Sequence, residues 1–177
     1  MVLADSGEDA IVSCNACDYA ANVEKAESRL IESVEHCEPR PLEKVHTPAK
    51  KSIQEVSDFL QMPADATVTM LVVVADNNPV AVLLRGDHDL NEIKLKKVIG
   101  CEELEMATDE VIVKATAAPV GFLGPIGQKL RIIADTTVKG MRNFIVGANE
   151  TDYHLKNVNH DRDFSIAEYA DIRNVTH

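Results

Sequence analysis

Tryptophan is absent from the 177 residues, and only four Phe and three Tyr are present. The core must therefore come from branched aliphatic side chains and not from aromatic clusters. Long apolar runs are also missing: the longest, Met70-Leu-Val-Val-Val-Ala75, falls far short of the roughly 20 residues that span a bilayer. Met1 leads into Val-Leu-Ala-Asp-Ser-Gly-Glu-Asp9, with neither a basic n-region nor an apolar h-region. No membrane partner is expected, and a cytoplasmic location is. Cys14, Cys17, Cys37 and Cys101 are too scattered for a disulfide framework and suit a reducing compartment. Positive charge is scarce too: 18 Lys and Arg stand against 29 Asp and Glu, a net charge of -11. Such a chain repels phosphate at long range, which disfavours a self-sufficient nucleic-acid binder.

What is present is one domain's worth of aliphatic sequence with an acidic arm. Residues 1–44 hold ten acidic and four basic side chains and end in the turn-rich Cys37-Glu-Pro-Arg-Pro-Leu-Glu-Lys44. Helix formers run over 18–34, with a thin apolar stripe that calls for a partner surface. From residue 46 the pattern becomes regular. Ser52-Ile-Gln-Glu55 predicts a capping box for a helix that puts Ile53, Val56, Phe59 and Leu60 on one face. Strands over 68–75 and 80–84, joined by Asp76-Asn-Asn-Pro79, predict a hairpin. Asp89-Leu-Asn-Glu92 repeats the capping pattern before a helix over 93–99 that ends at Gly100. A short helix over 108–116, strands over 130–134, 144–146 and 153–158, and a helical turn over 137–141 complete a mixed α+β order. Residues 118–127 contain three Gly and two Pro and must form a shaped loop.

Few motifs carry chemistry by themselves. Cys14-x-x-Cys17 has zinc-ligand spacing, with His36 and Cys37 as conceivable partners, but no second pair at ligand spacing follows, and ordinary thiols are the simpler reading. No phosphate-binding Gly-x-x-x-x-Gly-Lys, no Gly-x-Ser-x-Gly and no His-Glu-x-x-His occurs. Gly121-Phe-Leu-Gly-Pro125 can aim backbone N–H groups at a carbonyl, or can be a plain tight turn. A single His such as His154 is more often a hydrogen-bonded residue than a catalyst. Arg85-Gly-Asp-His-Asp89 reads as charges that cap and solvate a corner.

Taken together, Val45-His-Thr-Pro48, Leu84-Arg-Gly-Asp-His-Asp-Leu-Asn-Glu-Ile-Lys94, Gly121-Phe-Leu-Gly-Pro125, Ile133-Ala-Asp135, Val146-Gly-Ala-Asn149, Tyr153-His154, Arg162-Asp163 and Ala170-Asp-Ile-Arg-Asn-Val175 resemble the inserted editing domain of bacterial-type prolyl-tRNA synthetases, the YbaK-like fold. Cys17-Asp-Tyr-Ala-Ala-Asn-Val-Glu24 looks like the part of the same synthetase just before the insertion. The resemblance implies an α+β fold, a mixed sheet or partial barrel with surrounding helices, over 45–177, with 1–44 as a flank of the catalytic core. It implies hydrolysis of mischarged aminoacyl-tRNA, typically alanyl-tRNA(Pro), because a proline pocket cannot strongly exclude a smaller side chain. No cofactor is implied for the domain. ATP and Mg would serve the parent ligase at sites outside this chain. The partner would be the tRNA(Pro) acceptor end, held mainly by the rest of a homodimeric synthetase.

By the same resemblance, Gly121, Asp135 and His154 are the catalytic candidates, and Thr47, Thr69, Phe122, Leu123, Gly124 and Pro125 line the substrate site. The tRNA's own terminal hydroxyl would assist the water, so no side chain need act as general base. Two departures stand out. Where editing members carry Val-Lys-Thr-Leu, this sequence has Val68-Thr-Met-Leu71, so Thr69 replaces the pocket lysine, and a hydroxyl cannot supply an ammonium. His160 stands where tryptophan is common. The Thr69 exchange leaves a second reading open, a non-catalytic insert that supports the synthetase or tRNA binding. A free-standing deacylase of the same fold is a third, against which the synthetase-like arm argues.

Overall fold

The computed structural model describes residues 11–13, 17–22, 26 and 37–175. Most of the helix expected over 18–34 lies outside them, as do Cys14 and His36. Of the described residues in that stretch, Ala20–Asn22 form a strand (β2), which pairs antiparallel with Ile11–Ser13 (β1).

Two larger sheets form the body. One has the order β10-β7-β5-β4-β6, and the other the order β3-β9-β8. Val68–Ala75 (β4) and Asn78–Arg85 (β5) make the predicted hairpin in unbroken antiparallel register. Its turn is tighter than expected: Asp76 and Asn77 alone take left-handed φ of 45° and 66°, the two-residue geometry that matches strand twist. Asn78 and Pro79 already belong to β5. The Asp76 carboxylate accepts the amides of Glu102 and Glu103 at 3.0 and 2.9 Å. Leu104–Met106 (β6) pairs antiparallel on the far side of β4, Arg131–Asp135 (β7) pairs parallel with β5, and Glu168–Ala170 (β10) pairs parallel with β7. Phe144–Gly147 (β8), Tyr153–Val158 (β9) and Glu43–His46 (β3) form the second sheet. β3, β6 and β10 have three or four residues each, too few to show a period in the sequence.

Alternation along the hairpin sends its two faces into different cores. Val68, Met70, Val72, Ala81 and Leu83 meet Phe144, Val146 and Val158 between the sheets. Val73, Ala75, Val80, Val82 and Leu84 meet Leu95 and Ile172 on the other face. Leu95 lies on Glu92–Ile99 (α2), which ends at Gly100 in the left-handed conformation. Its cap is Asn91 and not Asp89, since Leu90 is still bridged to Arg173 and the Asp89 carbonyl accepts the Asn174 amide at 2.9 Å. Ile53–Leu60 (α1) has the expected Ser52/Glu55 capping box, whose donors pull the Glu55 pKa down to about 2. Val56 and Ser57 are its buried side, while Phe59 is left 46% exposed, outside the expected stripe. Asp109–Thr116 (α3) contributes Ile112 to the inter-sheet core.

Two polar features lock the frame. At the Arg85–Asp87 corner the guanidinium pairs bidentately with Asp87, and Gly86 has no room for a side chain, because a Cβ would sit 1.9 Å from Thr67 Oγ1. Asp135 is fully buried and accepts from the Thr137 hydroxyl and amide, the Ile172 amide and Arg173 Nη1, the last at 2.6 Å. Burial raises its pKa, and the Thr137 bonds, the Ile172 bond and the Arg173 charge outweigh that, holding it below the usual carboxylate value. Removing Arg173 leaves a buried charge unpaired, so Arg173→Ala should lower unfolding free energy by about 3 kcal/mol, read from the shift in urea midpoint.

Candidate functional site

The middle strand of the smaller sheet organises the site. On β9, His154 lies opposite Val45 of β3 and opposite Gly147 of β8. Just past β3 the Thr47 amide bonds the Asp152 carbonyl at 2.7 Å, and the buried Thr47 hydroxyl sits 2.6 Å from His154 Nδ1. That bond fixes the ring and leaves Nε2 as its other polar atom. Burial lowers the His154 pKa from its ordinary value, so the imidazole is neutral near pH 7.

The loop at 121–125 is pressed onto the same sheet. Gly124 packs against Gly147 so closely that a Cβ would stand 1.8 Å from the Gly147 carbonyl oxygen, and a Cβ on Gly147 would stand 2.3 Å from the Leu123 oxygen. Asn149 holds the loop with three bonds: its amide to Phe122 O, Oδ1 from the Gly124 amide, and Nδ2 to Ile126 O. Phe122 is buried, its ring 5.9 Å from that of His154. The Phe122 and Gly124 amides are committed, to Pro119 O and Asn149 Oδ1. Among the described residues the Gly121 and Leu123 amides form no such bond.

Between these pieces and β4 opens a cleft of about 240 Å³. Thr69, Gly121, Leu123, Gly147 and His154 lie on it, and Met70, Val72, Ile112 and Val146 make its walls apolar. Of the residues expected at the site, Thr69, Gly121, Leu123 and His154 thus reach the cleft. Thr47, Phe122, Gly124 and Pro125 stand behind it as support. Asp135, expected among the catalytic residues, does not line the cleft: its Oδ1 accepts from Thr137 and Arg173 and its Oδ2 from the Ile172 amide. Its position at the end of a buried strand, where a salt bridge was needed, cannot be told from a pocket position by sequence. Lys51 on the cleft and Asn149 behind the loop carry no chemical motif of their own in the sequence, although Asn149 closes the Val146-Gly-Ala-Asn149 string. His160, where an aromatic was expected, is buried and makes an edge contact with Tyr169 while bonding Asp161 and Lys139 O. No group of three or more His, Cys, Asp or Glu among the described residues is placed to hold a metal.

The aminoacyl-tRNA editing domain model matches residues 47–164, which include the cleft's loop, its histidine and β4. The chain belongs to that family. As an editing domain it is 64% identical over all 177 residues to the proline-tRNA ligases of Geobacter metallireducens and Geobacter sulfurreducens, and covers 31% of the length of each. Among solved structures, a protein described as a candidate trans-editing enzyme for prolyl tRNA synthetase shares the fold with TM-score 0.64 at 19% identity, over 76% of this chain and 87% of that one. The editing-domain loop gives a sharp expectation. Gly124→Ala should cost about 3 kcal/mol, because it drives a methyl into backbone. Gly127→Ala, with open space but φ of +78°, should cost only about 1 kcal/mol, both measured by urea unfolding.

Proposed function

We propose that the chain is the editing module of a proline-tRNA ligase and that its cleft hydrolyses the ester joining a wrong amino acid, alanine foremost, to tRNA(Pro). Family membership and relatives that bear the ligase's name, of which the chain spans about a third, support the assignment. The observation that carries the chemistry is the pair of uncommitted amides, Gly121 and Leu123, on the same cleft as the neutral His154. An aminoacyl ester is already activated. Water adds to its carbonyl carbon, the oxyanion accepts from these amides, the ester C–O bond breaks, and the leaving hydroxyl takes a proton as free amino acid departs.

His154 positions the substrate or the water through Nε2, and Thr47 holds the ring. Phe122, Gly124 and Pro125 shape the loop that presents the amides. Thr69 contributes a hydroxyl to the wall. Residues 1–44 would be the flank from the ligase and 45–177 the editing domain, consistent with a family match that begins at residue 47. ATP and Mg belong to the ligase's synthetic reaction, outside these residues, and tRNA would be gripped mainly there.

The chain, and in parallel the longer ligase, should release alanine from alanyl-tRNA(Pro) well above the buffer rate. Release at the buffer rate from both would overturn the proposal, and its appearance only in Thr69→Lys would mark a cleft that has lost one group. The pH profile follows from His154. The neutral ring is the native form, so the enzymic excess should be level above about pH 6.5 and fall as acidity protonates the ring at its lowered pKa. A half-point above pH 7 would exclude that role for His154.

A further inference from the structure

Lys51 is the single side chain of fixed charge among the described residues that line the cleft; none of them is Asp or Glu. Its stem lies along Gly121, where a Cβ would come 3.3 Å from Lys51 Cγ and Cδ. Its ammonium stands 6.0 Å from the centroid of the Phe122 ring. The lysine ion pairs formed among the described residues are those of Lys44, Lys94 and Lys156, so the Lys51 charge is not spent on a carboxylate. A free cation whose stem is already laid against the loop is prepared for an anion at the mouth of the cleft.

We propose that Lys51 binds the phosphodiester adjoining the terminal nucleoside of the tRNA acceptor strand and thereby seats the ester against the 121–125 loop. This rests on the deacylase reading above. The amino acid on such an ester carries an ammonium, which Lys51 repels, and the ester itself is neutral. The phosphodiesters are the anions the substrate brings. In a chain of net charge -11, one cation at this spot offsets repulsion where a phosphate must approach, and screening confines the benefit to roughly 10 Å.

Steady-state release of alanine from alanyl-tRNA(Pro), over a range of salt, tests it in this chain and in the longer ligase. Lys51→Ala should raise KM about tenfold with kcat within about twofold. It should also make the slope of log(kcat/KM) against log salt shallower by about 0.7, the value of one single-strand phosphate contact. Lys51→Arg should restore most of both, and Lys50→Ala, one residue away and not on the cleft, should change neither. An unchanged KM and salt slope in Lys51→Ala, beside an active parent, overturns the assignment. If the parent releases no alanine, it is the deacylase reading that fails. Binding of uncharged acceptor-stem RNA then decides on Lys51 alone: about tenfold weaker binding in Lys51→Ala with the shallower slope supports the contact, and equal binding overturns it.

Discussion

The hairpin of β4 and β5 has two apolar faces, and both must leave water. Each fully buried Val or Leu contributes roughly 1.5–3 kcal/mol, so neither face can be left open. The three-stranded sheet covers one through Phe144, Val146 and Val158, and α2 with Ile172 covers the other. The parallel pairing of β5 with β7 adds a topological demand, because a parallel neighbour cannot be reached by a tight turn. The chain leaves at Arg85 and returns at Arg131, and this crossover carries α2, β6, α3 and the 121–125 loop. The loop that forms one wall of the cleft is thus part of the connection that the central sheet requires.

The second sheet sets where that loop comes to rest. Its register sets His154 between Val45 and Gly147, Thr47 just past β3 reaches the ring with its hydroxyl, and two glycines, Gly124 and Gly147, let backbone meet backbone without intervening side chains. Asn149 then ties down three backbone groups that the approach would otherwise leave unpaired. A parallel bridge from Thr67 to Ile145 joins the two sheets beside the cleft. Among the described residues the Gly121 and Leu123 amides form no backbone bond, while the Phe122 and Gly124 amides between and beside them are held.

The hairpin, the Ser52/Glu55 cap and the Gly100 stop were legible because each rests on residues close in sequence. So was the grouping of Gly121, Leu123 and His154, through a resemblance spread over the whole domain. The α2 cap was misplaced by two residues, since Asp89 and Leu90 are drawn into pairing with residues 173 and 174, which no local pattern reveals. Asp135 was assigned to the cleft for the same reason: its partner Arg173 lies 38 residues away, and a buried salt bridge and a catalytic carboxylate look alike in one dimension. The turn-rich end of the arm, from residue 37, is laced to the body, with Asn143 bonding Arg40 and Glu38, Asn157 bonding Pro41 O, and Arg162 bonding Arg40 O. These bonds span more than a hundred residues and have no local signature.

Scarcity of positive charge takes on a different meaning at the cleft. Ten of the 29 acidic residues fall in the first 44 positions, and none of the described cleft-lining side chains is acidic. On the deacylase reading, the substrate's amino group therefore finds no carboxylate to hold it there, and discrimination cannot rest on a salt bridge common to every amino acid. It falls instead to the apolar walls of Met70, Val72, Ile112 and Leu123, which sense side-chain volume. Volume alone separates neighbouring amino acids by only about 1–3 kcal/mol per methylene. That margin applies to a pocket into which both residues fit; on the same reading a second site is more selective because a residue too large for its apolar walls is excluded by overlap with them.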